Sequence, residues 1–167
     1  MSREDWFRKA MATRAGDQYA VGEVMESAHH EKREVLVYST AVRANGRNDG
    51  SAVGALGVYF DWQAQGRSIV ETEAALPPKI AERTEVMLLD NRGRIIATTR
   101  PENRFTQFSL NHNGAGRGSY LSTSGDIVAF ARTLGYQEYD GLGWWGVVVQ
   151  RGESEDSIRS KLGMTSG

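Results

Sequence analysis

Short runs rich in β-branched and aromatic residues, cut by glycine-bearing turns, recur along almost the whole chain and constrain its fold most. They are YAVGEVM (19–25), EVLVYSTAV (34–42), SAVGALGVYFDW (51–62), VMLLD (86–90), RIIATT (94–99), GSYLSTS (118–124), DIVAFARTLG (126–135) and WWGVVVQ (144–150). Each has the composition of a strand. Asn45-Gly46 and Asp49-Gly50 mark a turn, Asn91-Arg92-Gly93 closes a hairpin, and Gly125-Asp126 closes another. A parallel sheet needs a crossover helix after nearly every strand. Only two helical patterns interrupt these eight runs, so the class is α+β with antiparallel sheets.

The first helical pattern opens on a capping-box-like pair, Ser2 and Asp5. It carries Trp6, Phe7, Ala10 and Met11 on one face and stops at Gly16-Asp17. The second runs from Asp61 to about Glu85. Trp62, Ile69, Val70 and Ala74 form its stripe, and Pro77-Pro78 breaks it. The expected organisation is a first module over 1–62 (the helix and a three-strand meander), a connecting helix over 63–85, a second module over 86–151 and a polar tail over 152–167. Because the chain opens directly on a helix, it is expected to be a piece of a longer protein.

Charge and composition remove several functions. With 20 basic and 21 acidic residues the net charge is −1, so no global field draws in nucleic acid or an anionic membrane. The absence of cysteine excludes disulfides, thiol catalysis and every Cys-containing zinc motif. No apolar run approaches the length of a membrane span, and the N-terminus lacks a signal-peptide core.

Three motifs imitate chemistry. Gly141, Gly143 and Gly146 have the G-x-G-x-x-G spacing of a pyrophosphate cradle. That cradle needs a helix to follow, so that its N–H groups meet the phosphate. Here Trp144-Trp145 fill the variable positions and a strand follows, so a tight turn (Gly141, Gly143) and a close strand contact (Gly146) are expected instead. GAGRG (114–118) lacks the Lys-Ser/Thr of a P-loop and reads as a loop. His29, His30 and Glu34 could suggest a metal pair. Adjacent histidines point to different faces, however, and His112 is distant, so solvated histidines and no metal are expected. No G-x-S-x-G elbow exists and the acids stand mostly in turns, so the chain is not expected to be an enzyme.

The aromatic residues offer a binding site. Trp6, Tyr19, Tyr38 and Tyr59 fall in or beside the first meander, and a tyrosine joins an apolar ring to a directional hydroxyl. Core packing is the competing reading for these rings. Asp61 ends the apolar run GALGVYF and shares a strand face with Tyr59, while Tyr38 sits on the neighbouring strand. Its carboxylate either holds a ligand cation or caps the helix that follows, and the two roles are compatible. As a ligand site, Asp61→Ala is expected to abolish any ligand-induced thermal shift.

In order and spacing, REDWFRKAM, VGALGVYFDW, VMLLDNRGRIIATT and DIVAFARTLGYQEYDGLGWWGVVVQ resemble the Cache sensor domains of bacterial chemoreceptors and related signalling proteins. The subgroup of methyl-accepting chemotaxis proteins without an evident membrane anchor is similar in its GVYFDWQAQGRSIV and LGYQEYDGLGWWGVVVQ stretches. The resemblance implies a PAS-like antiparallel sheet with flanking helices, in two linked modules. Such domains begin with a long helix and a hairpin that this chain lacks, so the first module is expected to be incomplete, with a partner or a swapped segment filling the gap.

The resemblance also implies a sensory domain that binds a small molecule of unknown identity. A homodimer and a methyl-accepting-type output module would read its occupancy. Amino-acid sensors of the family carry an Arg two residues before the helix Trp, a Tyr directly after it and an Asp in the G-V-D strand. Glu4, Phe7 and Tyr59 stand at those positions here, and Arg3 and Arg43 are the remaining anion partners. No cofactor is expected: haem or flavin would suit a PAS- or GAF-type domain, but no cysteine and no histidine on an apolar face are available for haem. The alternative function is a dimerisation or protein-interaction module with no ligand. The cytoplasm is slightly favoured, with the periplasmic part of a membrane receptor as the alternative.

Overall fold

Every strand pair among the described residues is antiparallel, as turn-linked short strands require. The computed structural model describes residues 5–28, 30–73, 75–134 and 141–152. Among these residues, nine strands in two sheets, with short helices, give the expected α+β class. The chain divides into two units, Met1–Gln65 and Gly66–Gly167.

The first unit is built on helix α1 (Asp5–Met11) and strands β1 (Ala20–Val21), β2 (Met25–Glu26), β3 (Glu34–Arg43) and β4 (Ala52–Asp61). β3 is the centre: β1 and β2 lie end to end along one side of it and β4 along the other. Val35, Val37, Ser39 and Ala41, two apart, are buried on the face that meets α1, while on the other face Leu36 is buried and Val42 is exposed. The run 19–25, expected as one strand, is split. The Gly22 N–H still meets the Val37 carbonyl (2.8 Å) in the register of β1, then Val24 is buried and pairing resumes at Met25 opposite Val35, one residue out of step.

α1 packs on β3 and β4. Ala10 is its buried residue, and the Thr13 hydroxyl finishes the last turn by donating to the Ala10 carbonyl (2.8 Å). Arg8 and Lys9 reach the Asp5 carboxylate at 2.6 and 2.7 Å, an exposed i,i+3/i,i+4 arrangement of small energetic weight. The buried Ser39 hydroxyl donates to the Trp6 carbonyl (3.2 Å) and ties the helix to the sheet. Arg43 closes the far end, donating to the carbonyls of Gly50 (2.8 Å) and Thr13. The capping pair expected at Ser2 and Asp5 lies partly outside the described residues, as do residues 153–167 of the polar tail.

The expected connecting helix is broken. α2 (Trp62–Arg67) passes into a π-type turn (Ser68–Glu73), and after Pro77 comes only the short α3 (Pro78–Ala81). Proline cannot continue a preceding helix, so Pro77-Pro78 sets that limit. Trp62 and Val70 of the predicted stripe are buried. No helix among the described residues is long and apolar enough to cross a membrane.

The second unit holds β5 (Thr84–Leu89), β6 (Ile95–Thr98), β7 (Arg117–Leu121), β8 (Ile127–Arg132) and β9 (Trp145–Gln150). Their order is β6-β5-β9-β8-β7, with the last strand at the centre. Met87, Leu89, Ile95, Val128, Phe130 and Val147 form the core, and Trp145 and Tyr120 pack against it. Gly141 (φ 73°) and Gly143 (φ 68°) are left-handed, so they form a turn into β9, and no helix follows that could cradle a phosphate. Gly146 has no such reason: a Cβ there would meet only the Ala131 carbonyl at 3.9 Å, and the close contact expected for it is absent.

The β5–β6 hairpin depends on Asp90. Its carboxylate accepts from the backbone N–H of Arg92 (2.8 Å) and Arg94 (3.0 Å), while Gly93 takes φ 79°. Asp90→Ala orphans both donors and is expected to lower stability by about 1–3 kcal/mol, read as a fall in the urea midpoint at unchanged slope.

Candidate functional site

The first unit contains a cavity of about 500 Å³ between the underside of α1, the β3–β4 surface and the 22–28 segment. Trp6, Met25, Val35, Val37 and Tyr59 are its large apolar lining residues, with Glu23 and Glu26 also on the wall. Strand alternation explains the set. Val35 and Val37 are two apart on β3, and Tyr59 is paired opposite Val37 on β4, so all three face the helix.

Gly57 makes the site possible. The Trp6 ring lies on its Cα, so close that a Cβ there would sit 2.9 Å from Trp6 Cζ3. From that seat Trp6 meets Tyr59 edge to face, with centroids 6.2 Å apart at 75°, and Phe7 at 5.9 Å and 82°. The Tyr59 ring also meets His30 (4.6 Å), whose Nδ1 is hydrogen-bonded to the buried Ser27 hydroxyl at 2.8 Å. Glu31 (φ 53°) and Lys32 (φ 60°) follow in left-handed conformations, closing a tight turn in which the Ser27 carbonyl accepts from His30 and Lys32. Asp5 stands at the rim, where the hydrogen bond from Lys9, with Arg8 beside it, holds the carboxyl below its ordinary value.

The structure thus brings together two of the five residues singled out from sequence, Trp6 and Tyr59. Tyr38 is paired opposite Val58 and belongs to the sheet face turned away from α1, where Tyr19 packs on it (6.2 Å, 40°). Asp61 shares the Tyr59 face but lies beyond the cavity lining. Its Oδ1 accepts from the Ala64 N–H of α2 (3.4 Å) and its Oδ2 meets Arg33 (3.5 Å), the geometry of a helix cap. Arg43 spends its guanidinium on the carbonyls already described, and Arg3 and Glu4 lie outside the described residues.

Val35, Val37, Met25, Ser27 and His30 were missed. The period of two along EVLVYSTAV carried the signal for the valines. Nothing local in the sequence indicates that the polar 26–33 run folds back onto Tyr59. Among the described residues no group of three metal-binding side chains converges; His29 is outside them, and His112 stacks on Trp145 (4.8 Å) in the second unit. That unit has a hollow of about 510 Å³ of its own, walled by Asn91, Arg132, Thr133 and the Gly141–Gly143 turn.

No protein-family model matches the chain, and no curated protein matches it. Solved structures do. The ligand-binding domain of the Pseudomonas aeruginosa PAO1 amino-acid chemoreceptor PctC, in complex with GABA, superposes with a TM-score of 0.62 at 17% identity, over 87% of this chain and 60% of that one. The ligand-binding domain of the Pseudomonas fluorescens chemoreceptor CtaA, in complex with L-alanine, gives 0.58 at 14%, over 92% and 63%. The sensory domain of the Campylobacter jejuni chemoreceptor Tlp3 gives 0.54 at 19%, over 95% and 56%. The chain therefore has the fold of a Cache-like sensor domain and spans about three-fifths of the length of these structures.

Proposed function

We propose that this chain is the sensory part of a bacterial chemotaxis or signal-transduction receptor, and that the cavity under α1 binds its small-molecule ligand. The observation that carries the reading is the cavity itself: apolar walls, two aromatic rings set edge to face, and a glycine that lets one of them lie on the sheet. The fold it shares with domains solved in complex with GABA and L-alanine supports a ligand of that size.

Binding would act by population shift. A ligand that touches both Trp6 of α1 and Tyr59 of β4 favours the helix arrangement in which both walls are in place. A homodimer joined to a methyl-accepting-type output module would read that arrangement. The likeness to ligand-binding domains of chemoreceptors favours the periplasmic placement over the cytoplasmic one read from the sequence. Family pattern argues against the usual grip on an amino acid, because Tyr59 stands where the amine-binding Asp is found.

The test is a thermal-shift screen of the full chain against proteinogenic amino acids, GABA, small amines and small carboxylates. A ligand at a hundredfold excess over its Kd adds about 2.7 kcal/mol to folding, a rise of several degrees. Tyr59→Ala is expected to abolish that rise. A screen in which no compound moves Tm, or a shift that survives Tyr59→Ala undiminished, would overturn the proposal.

A further inference from the structure

The hollow at the head of β9, within the second unit, is lined by hydrogen-bond donors and by no acid. Arg132 is its one cation. It is paired opposite Trp145 at the start of β9, so the two side chains share a face, and the guanidinium carbon lies 5.9 Å from the centre of the indole. A cation–π contact of this kind places a guanidinium without spending its N–H groups. Among the described residues no carboxylate or carbonyl takes a hydrogen bond or an ion pair from the Arg132 side chain.

Other donors converge on the same point. Gly143 lies between the side chains of Arg132 and Asn91: a Cβ built on it would stand 3.3 Å from Arg132 Nη2 and 3.9 Å from Asn91 Cβ. Gly141 (φ 73°) and Gly143 (φ 68°) are left-handed, and Leu142 between them is not. A turn whose hand alternates in this way is the backbone form in which successive N–H groups gather into a concavity that receives an anion. The N–H groups of Gly141, Leu142 and Gly143 meet no acceptor among the described residues, and the Asn91 amide is equally unengaged. The Thr133 hydroxyl is the exception, since it donates to the Trp144 carbonyl at 3.1 Å.

We infer that this hollow binds a small monocarboxylate. Its oxygens lie on the Arg132 fork and on the N–H groups of the 141–143 turn, with the Asn91 amide beside them. The planar guanidinium presents two parallel donors, which fit a carboxylate edge. A single cation balances a single negative charge, whereas a phosphate dianion would keep one charge without a counterpart. Leu134 and Leu142 supply apolar wall for the organic end of the ligand, and about 510 Å³ is room for a molecule of a few heavy atoms. Such a ligand would tie together the β5–β6 hairpin through Asn91, β8 through Arg132 and the turn into β9. The site stands whether or not the cavity under α1 holds a ligand, because the two share no residue.

Titration of the isotope-labelled full chain with acetate, propionate, lactate and benzoate, followed by backbone-amide and arginine side-chain NMR signals, tests it. At least one of these is expected to give saturable shifts at Gly141, Leu142, Gly143 and the Arg132 guanidinium. Arg132→Gln is expected to weaken that binding at least about tenfold. Arg132→Lys keeps the charge without the fork and should weaken it less. Arg117→Gln, at an exposed arginine on β7, is expected to leave it unchanged. Carboxylates that all leave the turn signals in place overturn the inference, as do shifts that survive Arg132→Gln undiminished. Inorganic phosphate binding the turn more tightly than every carboxylate overturns it too. Shifts confined to Trp6 and Tyr59 would overturn this site while supporting the cavity under α1.

Discussion

Gly57→Ala is expected to lower stability by about 1–3 kcal/mol and to remove any ligand-induced shift, through the addition of one methyl group. The added Cβ would stand 2.9 Å from Trp6 Cζ3 and 3.0 Å from Cε3, distances real carbon atoms do not tolerate. Trp6 has little room to yield. Its carbonyl is held by Ser39, and its ring is flanked by Phe7 and Tyr59. The indole must leave its rotamer or the helix must lift, and either movement takes a wall from the cavity. Gly54→Ala is the matched control: it lies on the same strand with nothing within 4 Å of the new atom, so Tm should hold or rise slightly. Calorimetry on both variants, with near-ultraviolet circular dichroism to follow the Trp6 environment, separates the outcomes. Equal Tm values for the two alanine variants would sink the argument.

Phe130→Ala is expected to cost about 3–5 kcal/mol, a large part of the 5–15 kcal/mol that ordinarily holds a domain. The ring is buried in β8 at the centre of the second core, 5.9 Å from Trp145 and 6.3 Å from Tyr120. Gly118 passes directly beneath it, with a built Cβ 3.1 Å from the ring edge, so β7 has no side chain with which to refill the space. Ile127→Ala, three residues away on the same strand and half exposed, should fall within about 0.5 kcal/mol of wild type. The comparison is a pair of urea unfolding curves. A loss below about 1 kcal/mol at Phe130 would mean that this core relaxes in ways the packing does not suggest.

The fold was legible where local chemistry decides it. Asn91-Arg92-Gly93 closes β5–β6, Gly125 closes β7–β8, and the alternating strands fall within a few residues of their expected limits. It was less legible where long-range contacts override composition. YAVGEVM has the makeup of one strand, but after Gly22 the pairing with β3 slips by one residue, so the run is split in two. The stripe through Trp62 and Val70 is real, but the helix it implied changes to a π-type turn at Ser68.

The site was half legible for the same reason. Trp6 and Tyr59 sit on regular elements whose periodicity aims them at each other. Tyr38 differs from Val37 by one residue, and that single step puts it on the other face of the sheet. His30 reaches Tyr59 only through a turn with two left-handed residues, which no pattern of polarity announces.

The strand order of the second unit also fixes when its sheet can exist. β9 is the central strand, its Gln150 pairing with Thr84 at the start of β5, so the middle of the sheet is the last strand to leave the ribosome. β5 and β8, which end up as its two neighbours, must each wait with an unpaired edge while the chain between them is made. The strands of the first unit are all synthesised by Asp61. Loop closure over the longer separation is slower than hairpin formation. During synthesis the second unit is therefore the one that passes through an exposed, partner-seeking stage, which closes only when β9 has emerged.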